Sequence, residues 1–355
     1  MNTIPTLPGI SSQMVETPRL RMHVLSSGPG DGEPVLFVHG NASSATYWEE
    51  TMLALPAGFR AIAPDLRGYG FGEFKPVDAT RGLADFVEDL LALMDTLGIE
   101  RFHAAGHSLG GAILYSMIGT AGERLRTVCL AAPGSPYGYG GTKDIHGTPC
   151  APDFAGSGGG QVNAEFARRM AAGDRSEDNP QSAPRVVMNS FYWKPPFRPA
   201  REEELLSGLL SERVGPDHYP GDFVTSEHWP GIAPGVLGPI NALSPKYVGD
   251  SVERLVGAAS KPPILWVHGA DDQIVSDNAF LNLGTLGKLG YVPGWPGDDV
   301  HPPQPMVSQI RAVLERYAAN GGRVRELMLA DCGHTPYLEH PEAFNAAFHA
   351  HLREA

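Results

Sequence analysis

The sequence contains few cysteines: Cys129, Cys150 and Cys332 are the only three among 355 residues. Their number is odd, they lie far apart, and no Cys-x-x-Cys pair occurs. Disulfide frameworks and structural zinc sites need several cysteines at short, regular spacings. The sequence therefore predicts a reduced, cytoplasmic setting, with no metal and no cofactor.

Long apolar runs are also missing, because no stretch approaches the roughly twenty residues that span a bilayer. The first ten residues have neither a basic start nor an apolar core, so no secretory signal is expected. Basic residues are in the minority: 27 Lys and Arg stand against 40 Asp and Glu, a formal charge of −13. A surface of that sign repels nucleic-acid phosphates and anionic lipid headgroups. Neither nucleic acid nor membrane is therefore an expected partner.

Hydrophobic residues make up 42% of the chain, a share typical of a soluble protein with a substantial core. Strand-like and helix-like runs alternate in the first third of the sequence, and the first run alternates as an edge strand would. The strand-like runs are residues 20–25, 35–38, 60–63, 102–105 and 127–131, and the helix-like runs are residues 84–97 and 112–118. Repeated βα units predict a mostly parallel sheet with helices on both faces.

The texture changes at residues 134–256, which are rich in Gly, Pro and Ser. Regular patterns then return, with strands predicted at residues 263–267 and 324–329 and a helix at residues 341–352. We therefore predict one α/β core made of residues 1–133 and 257–355. Residues 134–256 would form a cap or lid over the carboxyl edge of the sheet, where open α/β sheets bind ligands.

The most informative motif is Gly-His-Ser-Leu-Gly-Gly at residues 106–111, which fits the pattern G-x-S-x-G. It lies between a strand-like run and a helix-like run, where a nucleophile elbow belongs. Glycines at positions 106 and 110 let neighbouring backbones approach a sharp turn that exposes the Ser108 hydroxyl. The alternative is a glycine-rich turn that matches the pattern by chance.

Three further motifs follow predicted strands: His39-Gly40-Asn41, Gly269-Ala270-Asp271-Asp272 and Asp331-Cys332-Gly333-His334. With Ser108 they give the chain order nucleophile, acid, histidine. The sequence resembles the α/β-hydrolase family from about residue 14 to residue 355. The resemblance implies a mostly parallel sheet flanked by helices, with a cap inserted after the sixth strand.

The resemblance implies a catalytic triad. Ser108 would be the nucleophile, His334 the general base that activates it, and Asp272 the acid that orients the histidine. The family pattern G-x-x-D, counted from Gly269, selects Asp272 and leaves Asp271 as a solvated turn residue. A variant branch of the family carries the acid after the sixth strand, but no carboxylate occurs there before Asp144.

The resemblance also implies an oxyanion hole built from the backbone amides of Asn41 and Leu109. His39 is expected to shape the turn, although it is also a candidate substrate-binding residue. An Asn in this turn helps hold halide in the related haloalkane dehalogenases, so the Asn41 side chain is either a substrate contact or a plain turn residue. Dehalogenases and epoxide hydrolases need a carboxylate nucleophile. Because residue 108 is a serine, both activities are disfavoured.

The sequence is less explicit about the substrate. Trp193 and Trp229 in the predicted cap are candidate pocket residues, or else members of the cap's own core. A second, proline-dense insertion at residues 290–305 contributes Trp295 and His301 as further candidates. Two features are expected to be structural: the loop at residues 65–70, which matches the family pattern D-x-R-G-x-G, and Cys332, which lacks an elbow.

The leading hypothesis is a cofactor-independent serine hydrolase that acts on a small-molecule carboxylic ester or lactone. A second possibility keeps the triad and hydrolyses a carbon–carbon bond in a diketone-like substrate, or an amide. A third is a non-catalytic ligand-binding member of the fold. Turnover of a short aryl ester separates the third possibility from the first, and the oligomeric state stays open.

Overall fold

The structure is a computed structural model that describes residues 4–354. Within them, the strands are β1 (Ser11–Glu16), β2 (Arg21–Ser27), β3 (Glu33–Val38), β4 (Phe59–Pro64), β5 (Phe102–His107), β6 (Leu125–Ala131), β7 (Val214–Gly215), β8 (Tyr219–Pro220), β9 (Phe223–Thr225), β10 (Ile232–Pro234), β11 (Ile264–Gly269) and β12 (Val324–Leu329). The helices are α1 (Glu49–Leu53), α2 (Ala84–Thr96), α3 (Leu109–Ala121), α4 (Ala164–Ala171), α5 (Pro184–Phe191), α6 (Glu202–Leu210), α7 (Pro239–Ala242), α8 (Pro245–Val248), α9 (Ser251–Val256), α10 (Leu283–Lys288), α11 (Met306–Ala319), α12 (Pro336–Glu339) and α13 (Pro341–Leu352).

Eight strands form the central sheet in the order β1-β2-β4-β3-β5-β6-β11-β12. Strand β2 pairs antiparallel with β1 and β4, whereas the six strands from β4 to β12 are parallel. The prediction of a mostly parallel sheet is confirmed. Because parallel strands end at one edge, the loops after β3, β5, β11 and β12 open on the same side of the molecule.

The sheet edge differs from the sequence prediction. Residues 20–25 were expected to form an edge strand, but β2 lies between β1 and β4, and β1 is the edge. Only Val15 of β1 is buried, so this polar strand has no hydrophobic alternation that would reveal it. A polar, exposed edge strand also resists pairing with other chains.

Helices cover both faces of the sheet, as predicted. Along β3, Leu36 and Val38 join one buried cluster, whereas Val35 and Phe37 join another. The first cluster includes apolar residues of α2, α3 and α11, and the second includes those of α1, α6 and α13. This alternation with a period of two is what a strand buried on both faces requires.

Residues 134–256 lie between β6 and β11 and contain α4 to α9 with two small two-stranded sheets. Helix α6 packs on the short 3₁₀ turn Ala45–Trp48, where the Tyr47 hydroxyl donates to the Leu205 carbonyl at 3.0 Å. Buried glutamines hold the beginning of the segment: Gln304 Nε2 donates to Gly138 O at 3.0 Å, and Ser135 Oγ donates to Gln309 Oε1 at 2.6 Å. The inserted segment is therefore hydrogen-bonded to the core. One of these bonds comes from Gln304, which lies in the second insertion at residues 290–305.

Within residues 4–354, no helix has the length and apolar character needed to cross a bilayer. The three cysteines are free thiols. The same described part of the chain holds no cluster of three or more His, Cys, Asp or Glu side chains placed to bind a metal ion.

Candidate active site

The elbow motif forms a tight turn between β5 and α3. Ser108 has φ 53° and ψ −113°, a strained conformation for a residue with a side chain. A Cβ on Gly106 would lie 2.6 Å from the Gly110 carbonyl, and one on Gly110 would clash with the Val38 carbonyl. Both glycines are therefore required by the close packing of β5, α3 and β3. The serine itself is partly exposed.

Asp272 and His334 are joined across the loops that follow β11 and β12. His334 Nδ1 lies 2.7 Å from Asp272 Oδ2, and Asp272 is only 1% exposed. Asp272 Oδ1 accepts the amides of Ile274 and Val275 at 2.7 and 2.9 Å. Burial raises the pKa of the Asp272 carboxyl, but the charge of His334 and hydrogen bonds from His334 and His268 lower it more, so the net pKa lies below its ordinary range. The arrangement keeps this carboxylate ionised.

His268, the penultimate residue of β11, is a further partner of the acid that sequence reasoning missed. The Trp266 indole N–H donates to His268 Nδ1 at 3.2 Å, so His268 Nε2 carries the proton. Nε2 lies 2.8 Å from the Val275 carbonyl and 3.3 Å from Asp272 Oδ2. The only available signal was a histidine at the end of a buried strand, four residues before the acid.

Glu339 supports the loop that carries His334 through hydrogen bonds to its backbone. Its carboxylate accepts the Gly333 amide at 2.8 Å and the Thr335 amide at 3.3 Å, on both sides of the histidine. The same side chain accepts the Lys194 amide at 2.8 Å. Glu339 thus connects the loop carrying the histidine to the inserted segment.

His107 connects the elbow to the same loop. Its Nε2 donates to the His334 carbonyl at 2.8 Å, and the two rings are 4.7 Å apart. Burial and the neighbouring His334 hold the pKa of His107 well below its ordinary value, so it is a neutral ring. Because His107 immediately precedes Ser108, this contact joins the elbow that carries the serine to the loop that carries His334.

Asp271 and Asp272 have separate surroundings although they are adjacent. The Asp271 carboxylate is partly exposed and lies 2.9 Å from Lys194 Nζ, which also contacts Asp331 at 2.8 Å. The carboxylate that contacts His334 belongs to Asp272. This geometry agrees with the count of the family pattern from Gly269.

The turn after β3 carries the predicted oxyanion amide of Asn41. The Tyr69 hydroxyl donates to Asn41 Oδ1 at 2.8 Å, and the Tyr192 hydroxyl donates to the Ala42 carbonyl at 2.8 Å. Ala42 has φ 44°, which marks a strained turn held by its surroundings. Leu109 is the first residue of α3, so its amide has no acceptor within the helix. The two predicted amides therefore lie on a braced turn and a helix start.

His39 is fully buried, and both of its ring nitrogens are used. Nδ1 donates to the Gly40 carbonyl at 2.7 Å, and Nε2 accepts the Leu66 amide at 3.0 Å. Neither nitrogen is free for a substrate, so the geometry favours the predicted loop-shaping role over substrate binding. Asp65 extends the same framework by accepting the Ala45 amide at 2.8 Å.

Trp193 lies at the end of α5, close to the histidine loop. Its indole N–H donates to Asn189 Oδ1 at 3.1 Å, and its ring packs edge-on against Tyr192 and Phe197. A Cβ on Gly333 would lie 2.8 Å from the Trp193 carbonyl carbon. The ring is buried among side chains of the inserted segment, while the backbone touches the loop beside His334.

Trp229, Trp295 and His301 form a cluster where the two insertions meet. Trp229 packs edge-on against His301 at 4.7 Å, and both indole rings lie against Gly287. Each indole N–H donates to a backbone carbonyl of the second insertion, Trp229 to Pro293 and Trp295 to His301, both at 2.9 Å. Of the three, only His301 is buried, and Trp229 and Trp295 are partly exposed. A substrate-binding role for the three residues stays a prediction.

The burial of His301 should make folding sensitive to acid. The side chain is 3% exposed, and burial lowers its pKa to about 4 from 6.5. The unfolded chain therefore binds a proton that the native state resists, so stability falls as pH drops from about 6.5 towards 4. Between neutral pH and about pH 4.5, the free energy of unfolding should fall in the wild type by about 2 kcal/mol more than in His301→Gln.

Urea denaturation at the two pH values measures this effect. His146 is exposed, so His146→Gln is the control and should leave the pH dependence of the wild type unchanged. Identical pH dependence in His301→Gln and the wild type would contradict the assignment.

Comparison with known proteins places this geometry in a family. A sequence model described as alpha/beta hydrolase fold matches residues 33–286. Carboxylesterase YbfK of Bacillus subtilis is 31% identical over 117 residues, which cover 33% of this chain and 39% of that protein. Its solved structure matches with a TM-score of 0.60 and 17% identity, over 98% of this chain and 92% of that one. At that identity the structural match supports the fold alone.

Two other relatives carry different activities in their names. Epoxide hydrolase 2 of Siraitia grosvenorii is 38% identical over 102 residues, covering 28% of this chain and 32% of that protein. A 2-hydroxy-6-oxo-6-phenylhexa-2,4-dienoate hydrolase of a Rhodococcus species matches with a TM-score of 0.57 and 20% identity, over 97% of this chain and 99% of that one. The chain thus spans less than half the length of the curated relatives it matches by sequence.

Proposed function

The chain belongs to the α/β-hydrolase fold family, and from this premise we propose that it is a serine hydrolase that cleaves a carboxylic ester or lactone. The observation that carries the proposal is the 2.7 Å contact between His334 Nδ1 and buried Asp272, beside a serine on a strained elbow. A serine hydroxyl is a poor nucleophile without an adjacent base. This arrangement supplies that base together with the acid that orients it.

In the first half of the reaction, Ser108 attacks the substrate carbonyl while His334 Nε2 takes the hydroxyl proton. Asp272 accepts from His334 Nδ1, which keeps Nε2 free as the base and stabilises the imidazolium that forms. The amides of Asn41 and Leu109 donate to the oxyanion of the tetrahedral intermediate. When the intermediate collapses, His334 returns its proton to the departing alcohol and an acyl-enzyme remains on Ser108.

In the second half, water replaces the alcohol. His334 removes a proton from the water as it attacks the acyl carbonyl, and the same two amides bind the second oxyanion. Collapse releases the carboxylic acid and restores the Ser108 hydroxyl with the proton from His334. Every proton that leaves an attacking group returns to a leaving group, so no cofactor is required.

The relatives named as epoxide hydrolases do not change this proposal. Opening an epoxide through an alkyl-enzyme ester requires a carboxylate at the elbow, and residue 108 is a serine. A second candidate does deserve a test: hydrolysis of a carbon–carbon bond in a diketone-like substrate, on the same triad. A local sequence likeness to a dienoate hydrolase, 35% identical over 109 residues, favours it.

We further propose that residues 134–256 act as a cap that governs access and substrate choice. The cap reaches the site through Tyr192, which binds the turn after Asn41, and through Lys194, which meets Glu339. A small molecule held between the cap and the sheet edge fits this arrangement. We also propose a cytoplasmic setting, which the few, widely spaced cysteines favour, and no nucleic-acid or membrane partner, which the formal charge of −13 favours.

The function can be tested with a panel of purified substrates: short and long aryl esters, lactones, an anilide and a vinylogous diketone. We expect measurable kcat/KM for at least one ester or lactone, and a loss of about a thousandfold or more for that compound in Ser108→Ala. Turnover confined to the diketone would transfer the proposal to carbon–carbon hydrolysis. Binding of esters without turnover by the wild type would favour a non-catalytic ligand-binding protein.

A further inference from the structure

Glu212 is a buried carboxyl group of the proposed cap that the mechanism above does not use. It follows α6 at the point where the cap crosses the loop at residues 65–70, and the next amide, that of Arg213, donates to the Gly68 carbonyl at 2.8 Å. Glu212 is 5% exposed. A backbone hydrogen bond thus fixes the position of this side chain against the core.

The surroundings of Glu212 do not suit a charge. Among residues 4–354, neither carboxyl oxygen has a partner in a well-formed hydrogen bond, cationic side chains included. A buried carboxylate without a partner is costly, and such a group avoids the cost by keeping its proton. Burial accordingly raises the pKa of Glu212 well above its ordinary value, by more than its polar neighbours lower it.

Those neighbours are the Tyr69 hydroxyl and the Ala42 amide, and Tyr69 directly follows Gly68, which the Arg213 amide contacts. Neither group makes a well-oriented hydrogen bond to the Glu212 carboxyl oxygens. Tyr69 already donates its only proton to Asn41 Oδ1 at 2.8 Å. It can therefore present only an acceptor oxygen to Glu212. An ionised carboxylate has only acceptors to offer in return, whereas a protonated carboxyl can donate to Tyr69 and accept from Ala42.

We propose that Glu212 is a positioning residue that, as a neutral carboxylic acid, braces the oxyanion turn from the cap. The protonated carboxyl would turn its hydroxyl group to Tyr69 and its carbonyl oxygen to the Ala42 amide, while Tyr69 donates to the Asn41 side chain as observed. These hydrogen bonds would hold the turn at two adjacent residues, Asn41 and Ala42. The inference rests on the proposed function, because it assigns the braced Asn41 amide to the oxyanion.

A brace of this kind acts on the transition state. The oxyanion develops only after attack, so a misaligned Asn41 amide should lower kcat and leave KM nearly unchanged. Removing an oxyanion donor outright costs about a hundred- to thousandfold. Loosening its support should cost less, about ten- to a hundredfold in kcat.

Three variants separate the neutral acid from other roles, with 4-nitrophenyl acetate as substrate. Glu212→Gln keeps a neutral group that can donate and accept, and should retain kcat within about threefold of the wild type. Glu212→Ala should lose about ten- to a hundredfold in kcat with KM within about twofold. Glu203→Gln, an exposed change on the preceding helix, is the control and should change neither.

The proposal would be overturned by a loss in Glu212→Gln as large as that in Glu212→Ala, or by unchanged kcat in Glu212→Ala. The first would mean that an ionised carboxylate is needed, and the second that there is no brace. A raised KM at constant kcat would also overturn it, since that indicates contact with the bound substrate.

Hydrogen exchange gives a readout that does not depend on turnover. A peptide covering residues 39–48 should exchange faster in Glu212→Ala than in the wild type, Glu212→Gln and Glu203→Gln. If that difference appears and no ester is cleaved by the wild type, the brace stands and the proposed function fails. If the wild type cleaves the ester and exchange is the same in all four proteins, the function stands and the brace fails.

Discussion

Replacing Ser108 with alanine is expected to lower kcat/KM for a short aryl ester by about a thousandfold or more. In the proposed mechanism the substitution removes the atom that carries the acyl group, and the strained elbow at φ 53° remains available to a smaller side chain. His334→Ala should have a comparable effect, because it removes the base that activates the hydroxyl. Initial rates at substrate concentrations well below KM measure both losses.

The losses in kcat/KM from replacing Ser108 and His334 should not be additive. Because the nucleophile and its base act in one step, the double variant should be little slower than either single variant. Unchanged thermal unfolding would show that the losses arise in the chemistry. Near wild-type turnover by Ser108→Ala would contradict the nucleophile assignment, and multiplicative losses in the double variant would contradict the shared step.

Asp272→Asn is expected to cost about ten thousandfold in kcat, whereas Asp271→Asn should stay within about threefold of the wild type. An asparagine at 272 can still accept the Ile274 and Val275 amides through its carbonyl oxygen, as Asp272 does at 2.7 and 2.9 Å. Its amide group, however, would face His334 Nδ1 with a donor and favour the wrong tautomer of the ring. Asp271 contacts Lys194 at the surface, where a lost ion pair has little effect.

Asp271→Asn is the matched control for Asp272→Asn, because the two changes are identical and adjacent in the chain. Measuring kcat for both at the same pH separates the role in catalysis from any general effect of losing a carboxylate. Equal losses, or a larger loss in Asp271→Asn, would mean that the acid has been assigned to the wrong residue.

Much of the candidate site could be predicted from the sequence because its chemistry imposes local patterns. The elbow needs glycines beside Ser108, and the structure confirms the tight packing at Gly106 and Gly110. The acid follows the buried strand β11, the histidine follows the neighbouring strand β12, and parallel strands end at one edge of the sheet. Their joining at that edge therefore follows from the predicted topology.

The supporting residues were not predictable, because each acts through a partner far away in the chain. Glu339 holds the His334 loop together with Lys194, 145 residues away, and Tyr192 binds the turn at Ala42 from 150 residues away. No short motif records such pairs. Glu212 is harder still, since a lone glutamate after a helix is typically exposed.

The fold shows the same division between local and distant information. Strand β12 and helix α13 match the predicted bounds because their patterns are regular, whereas β1 was missed because it is polar and exposed. The aromatic residues of the insertions were recognised, but their packing partners were not. Trp229 lies in one insertion and Trp295 in the other, and both rings lie against Gly287. The irregular sequence of the two insertions does not indicate this contact.

The measurement that tests the central claim most directly is mass spectrometry of the protein during turnover. The wild type is mixed with 4-nitrophenyl acetate, quenched in acid and digested, and the peptide containing Ser108 is examined for one added acetyl group. The account predicts acetylation at Ser108, with none on the same peptide in Ser108→Ala. Continued hydrolysis with acetyl found on another residue, or with no covalent adduct while 4-nitrophenolate is released in a burst, would contradict it.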